Sequence, residues 1–106
     1  MISKAAYFGG TYNSEAFTGT IAVHPSAGKT WRLAGSSTPV VQMHDARTLK
    51  VDLIAAIWNS GANLITVKDA AGGTIGTIAS GAVKILHLFD TSTQAGVWRL
   101  LSRSFL

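Results

Sequence analysis

The chain has 106 residues, no cysteine, a formal net charge of +4 and only 13% charged residues. That is the length of one domain, and it excludes disulfides, thiolate chemistry and cysteine-based zinc sites. No apolar run approaches the ~20 residues of a membrane span. The opening MISKAAYFGG lacks the basic segment and apolar core of a secretory signal, so the expectation is a protein made in a cytoplasm that stays soluble or joins an assembly there.

Residues 1–13 (MISKAAYFGGTYN) have no clean period and read as an N-terminal arm, with the aromatic pair Tyr7 and Phe8 placed to dock. Residues 17–24 (FTGTIAVH) put Phe17, Gly19, Ile21 and Val23 on one face and Thr18, Thr20 and Ala22 on the other, the alternation of a half-buried strand. PSAG (25–28) is turn chemistry, and TWRLA (30–34) reads as the return strand of a hairpin. GSST (35–38) reads as a loop. PVVQMH (39–44) reads as a short strand at an edge, because Pro39 cannot donate to a ladder.

Residues 51–58 (VDLIAAIW) fit a strand through Val51, Leu53, Ala55 and Ile57, with a short helix through Val51, Ile54 and Trp58 as the alternative. From residue 59 the chain is a run of short apolar segments parted by turns: LITVK (64–68), TIGTI (74–78), AVKILHLFD (82–90) and VWRLL (97–101). Strands at that spacing argue an all-β, antiparallel sandwich or barrel. We expect a jelly-roll-type β-sandwich over residues 14–101, the arm before it, and a tail at 102–106 (SRSFL) that ends on Phe105 and Leu106 where polar residues would favour solubility. IAVHPSAGKT (21–30) and ITVKDAAGGT (65–74) match at five offsets, which reads either as two related hairpins or as chance similarity among turn-flanked strands.

The chemistry-bearing residues do not assemble into a reactive site. VHPSAGKT (23–30) lacks the first glycine of a P-loop and leads into β-like sequence, not a helix. His24, His44 and His87 show no metal-ligand spacing, and no cofactor is expected. Glu15 is the only glutamate and no nucleophile elbow occurs, so the chain does not read as an enzyme. The nine basic residues are scattered, with only Arg99 and Arg103 able to share a strand face, which argues against nucleic acid and for a mildly basic surface that meets an acidic protein partner. Trp31, Trp58 and Trp98 fall in expected strands, as packing residues or, alternatively, as stacking platforms for a glycan. A charge-poor surface has two explanations: a coat of Ser and Thr, or cover by neighbouring chains, whose interface cores are depleted in charge.

TVKDA (66–70) with Gly72, then IGTI (75–78) and Gly81, then DTSTQAGVW (90–98), resemble a turn pattern of small β-sandwich virion proteins of tailed bacteriophages, among them head decoration (cement) proteins and fibre modules. The resemblance covers about a third of the chain and rests on turn residues, so it carries over no functional residue. It implies a non-enzymatic virion protein, first a capsid decoration protein that forms homo-oligomers, with a trimer favoured, and clamps neighbouring copies of a major capsid protein. The alternative is a receptor- or glycan-binding tail-fibre module. The expected contact residues are Tyr7, Phe8, Arg99, Arg103, Phe105 and Leu106, and no membrane or nucleic-acid partner is implied.

Overall fold

The computed structural model describes residues 12–23 and 30–102. They form seven strands: β1 (Tyr12–Val23), β2 (Thr30–Met43), β3 (Ile54–Asn59), β4 (Ile65–Lys68), β5 (Thr74–Ile78), β6 (Val83–Asp90) and β7 (Val97–Ser102), with one 3₁₀ turn at Ala46–Thr48. The protein is all-β, as the spacing of turns and alternating runs predicts. The strand order is β5-β4-β2-β3-β6-β7, with β1 added on β2.

The connectivity is mixed, which corrects the expectation of a purely antiparallel sandwich. β1 pairs with β2 in parallel, and β2 pairs in parallel with both β3 and β4. TWRLA is therefore not the return strand of a hairpin. Nor are TWRLA and PVVQMH separate strands, because both belong to one fourteen-residue β2. The two matching segments are not equivalent hairpins either: β4 and β5 pair antiparallel, whereas β1 and β2 do not.

Chain length explains how β1 can lie parallel to β2. A straight twelve-residue strand would be about 40 Å long. The stretch from Val23 to Thr30 reaches about 25 Å at most, so β1 and β2 must both bend. They bend together. Tyr12–Thr18 lies along Thr30–Ser36, the register then breaks, and Thr20–Val23 lies along Val40–Met43. At the break Gly19 has φ 77°, and Ser37 and Thr38 have φ 57° and 50°. Pro39 is buried in the corner, where a Cβ on Gly35 would meet the Pro39 ring and lie 2.8 Å from Phe17 Cζ. Gly35 is thus required by close approach.

The segment from β3 to β4 follows the same bend along the other edge of β2. Thr30 faces Ala56 and Val40 faces Thr66, an identical offset, so both strands belong to one parallel run broken between them. Ser60 N donates to Leu33 O at 2.9 Å and Asn63 Nδ2 to Gly35 O at 3.0 Å, stitching the break to β2. One side of the protein is then β1-β2-β3-β6-β7 and the other β1-β2-β4-β5. Together they make a nearly closed, barrel-like wall. The remaining gap lies between β5 and β7, where Leu100 covers Gly76: a Cβ there would be 2.8 Å from Leu100 Cδ2. Sides that share strands bent at a corner are a known way of wrapping sheets round one core.

That core is Val23, Leu33, Val41, Met43, Leu53, Ala55, Ile57, Ile65, Val67, Ile78, Leu86, Leu88 and Trp98 with Ala46. Residues 51–58 are a strand only from Ile54; Val51 and Asp52 form a turn, and Asp52 has φ 66°. β1 begins at Tyr12, inside the segment expected as an arm.

Candidate functional site

Strand alternation sorts β3, β6 and β7 into two faces. Ala55, Ile57, Leu86, Leu88, Trp98 and Leu100 face the core. The outer face carries Ile54, Ala56 and Trp58 from β3, Val83, Ile85, His87 and Phe89 from β6, and Val97, Arg99 and Leu101 from β7. Cross-strand registry makes them one surface: Ile54 is opposite His87, His87 opposite Arg99, and Ile85 lies between Ala56 and Leu101. Ile54, Phe89, Val97 and Leu101 are 45–48% exposed. A solvated sheet face ordinarily alternates to polar residues, so an apolar row here is the surface's most informative property.

Polar groups lie among these apolar residues. Asp52, set by its left-handed backbone, places Oδ1 3.1 Å from His87 Nε2. The His87 and Phe89 rings lie 4.2 Å apart between centroids. Arg99 Cζ sits 5.0 Å from the Phe89 ring centre, a cation–π contact. At the far end of the face, Arg32 Cζ lies 4.8 Å over Trp58.

Of the expected contact residues, Arg99 is on this face, on its outermost strand β7. Tyr7, Phe8, Arg103, Phe105 and Leu106 lie outside the described residues, as does His24. His44 follows β2, its N–H donating to Val23 O at 3.2 Å. Among the described residues no three His, Asp or Glu side chains gather as metal ligands would. Trp98 is a core residue, its Nε1 donating to Ala95 O at 3.1 Å. Trp31 packs against the core, and Trp58 alone stands on the outer face. No described helix is long and apolar enough to cross a membrane.

The other carboxylates among the described side chains hold turns. Asp69 Oδ1 accepts from Ala71 N and Gly73 N, both at 2.9 Å, holding the β4–β5 turn. Asp45 accepts from the side chain and backbone N–H of Arg47, which hold its carboxyl below the usual range. Asp90 is likewise lowered, by the N–H and side chain of Ser92. These groups fix turns and offer no acid–base pair.

No family model matches the chain, and no curated protein or solved structure is significantly similar to it. The outer face of β3, β6 and β7 therefore carries the functional argument.

The sequence reading missed that face. Ile85, His87 and Phe89 were legible as one side of a strand, but which side meets water depends on β3 pairing in parallel with β2 and antiparallel with β6.

Proposed function

We propose that this chain is a non-enzymatic structural protein of a tailed-bacteriophage particle, a capsid decoration protein that stabilises the shell by clamping neighbouring subunits of a major capsid protein. One observation carries the reading: four exposed apolar residues, Ile54, Phe89, Val97 and Leu101, share the outer face of a domain with very few charges, with His87 and Arg99 among them. Such a face gains free energy when a neighbour covers it, at roughly 25 cal/mol per Å² of apolar area. The turn pattern from residue 66 to 98 supplies the virion context. Repetition over a lattice lets a weak contact suffice, because each bound site raises the effective concentration of the next.

Homo-oligomers, a trimer first, belong to the same proposal, as does location in a virion assembled in the host cytoplasm. So does the jelly-roll type of sandwich expected from the sequence. Strands bent over two sides support it, and the parallel β1-β2-β3 pairing weighs against jelly-roll connectivity. The glycan-binding alternative would use exposed tryptophans, and Trp58 has its ring under Arg32.

The test is sedimentation of the full chain with shells assembled from the major capsid protein of the same genome. Saturable binding at a fixed ratio to shell subunits is expected. No binding to shells, together with reproducible saccharide binding on a glycan array, would replace this reading with the fibre module.

A further inference from the structure

β7 is an edge strand as well as part of the apolar face, and its backbone says what it can bind. Leu88 N donates to Leu53 O, and Leu88 O accepts from Asp52 N. Leu88 thus turns its main chain toward the β3 side, and by alternation His87 and Ile85 turn theirs toward β7. Their partners Arg99 and Leu101 are committed to β6. The N–H and C=O groups of Trp98, Leu100 and Ser102 then face outward, and no described strand pairs with them. β5 lies across the gap but meets β7 through the Leu100 side chain on Gly76, not through a ladder.

Edges of this kind are usually guarded by a lysine, a proline or a bulge. β7 reads Val-Trp-Arg-Leu-Leu-Ser, and its one charge, Arg99, lies back on Phe89. Arg99 forms no ion pair among the described residues.

We infer that the β7 edge accepts an extended segment of a different, acidic protein, which adds as a further strand, lays alternate apolar side chains beside Val97 and Leu101, and sets a carboxylate on Arg99. Charge decides between a foreign segment and a second copy of this chain. The protein has five acidic residues, and the four with described side chains are engaged: Asp45 by Arg47, Asp52 by His87, Asp69 by its own turn, Asp90 by Ser92. Among its described side chains, a second copy has little to offer Arg99 at this edge. Strand addition supplies affinity through the main chain and specificity through alternate side chains. The inference gives the chemistry of the partner for the face described above, and only the identification of that partner as a shell subunit rests on the virion reading.

The experiment uses the isotopically labelled full chain and three synthetic nine-residue probes. One alternates threonine and valine around a central glutamate. The second has lysine in place of the glutamate, and the third is the glutamate probe N-methylated at alternate amides. Without probe, the amides of Trp98, Leu100 and Ser102 should exchange with solvent fast while those of Arg99 and Leu101 are protected. The glutamate probe should slow the first set and bind roughly tenfold more tightly than the lysine probe. The N-methylated probe should not bind, and Arg99→Glu should reverse the preference between glutamate and lysine.

Protection of residues 98, 100 and 102 without probe would overturn the inference. If that protection grew with protein concentration, a second copy would be the occupant. Equal binding of the glutamate and lysine probes, or none of either, would also overturn it. Edge binding of the glutamate probe by a chain that ignores assembled shells would support the edge and remove the virion reading.

Discussion

The side-chain amide of Asn59, at the end of β3, donates to the carbonyl of Ile78, at the end of β5, across 2.9 Å of fully buried space. β3 and β5 lie on different sides of the barrel-like wall, so this bond ties the two sides together. The same Nδ2 donates to Asn63 O at 2.8 Å, and Oδ1 accepts from Gly61 N at 3.1 Å. Every polar atom of the side chain is paired, which is what makes a buried amide tolerable.

Asn59→Ala should therefore destabilise the domain by about 2–3 kcal/mol, because it strands buried partners as well as losing the bonds. Chemical denaturation of the purified variant measures this. A loss under about 0.5 kcal/mol, the usual size of a surface effect, would mean that Asn59 does not tie the two sides.

The corner of β2 makes opposed demands. Thr38 is β-branched and held at φ 50°, a conformation that Asn tolerates far better. Thr38→Asn should raise stability by about 1 kcal/mol, or roughly 4–8 °C in melting temperature. Gly35→Ala, whose methyl would strike Pro39 and Phe17, should lower stability by about 1–3 kcal/mol. Thermal melts that order the two variants the other way would refute the bent-strand geometry.

Much of this was legible in sequence where structure is local. β5 spans TIGTI as expected, and β6 and β7 differ from the expected runs by one residue. Each is a short run bounded by turn residues, and hairpin neighbours in sequence become neighbours in space. The corner was not legible. GSST reads as a loop because Gly, Ser and Thr are turn formers, yet β1 pairs with both arms of β2 across it. PSAG suggests a hairpin, but parallel pairing is decided by the bend of strands on either side of it. The His87–Asp52 pair joins residues 35 apart through β3–β6 registry, which no local pattern encodes.

Acid should weaken the turns that Asp45 and Asp90 hold. Both carboxyls have folded-state pKa values below their ordinary ones, Asp45 through Arg47 and Asp90 through Ser92. The stability that they add is present above the unfolded value, near pH 4, and is lost as pH falls through the lower folded value. Wild type should lose melting temperature below about pH 4, and Asp45→Asn with Asp90→Asn should flatten that decline. An identical decline in the double variant would assign the acid sensitivity to other groups.

The central claim is that the outer face of β3, β6 and β7 is a contact surface and not a solvated one. The direct measurement is sedimentation of wild type and an Ile54→Ser/Leu101→Ser variant with assembled shells, beside their thermal melts. Each residue is 48% exposed, so about half of a burial worth roughly 1.5–3 kcal/mol is still available to a partner. The variant should bind shells at least about tenfold more weakly, with a melting temperature within a few degrees of wild type. Unchanged shell binding by a folded variant would contradict the account.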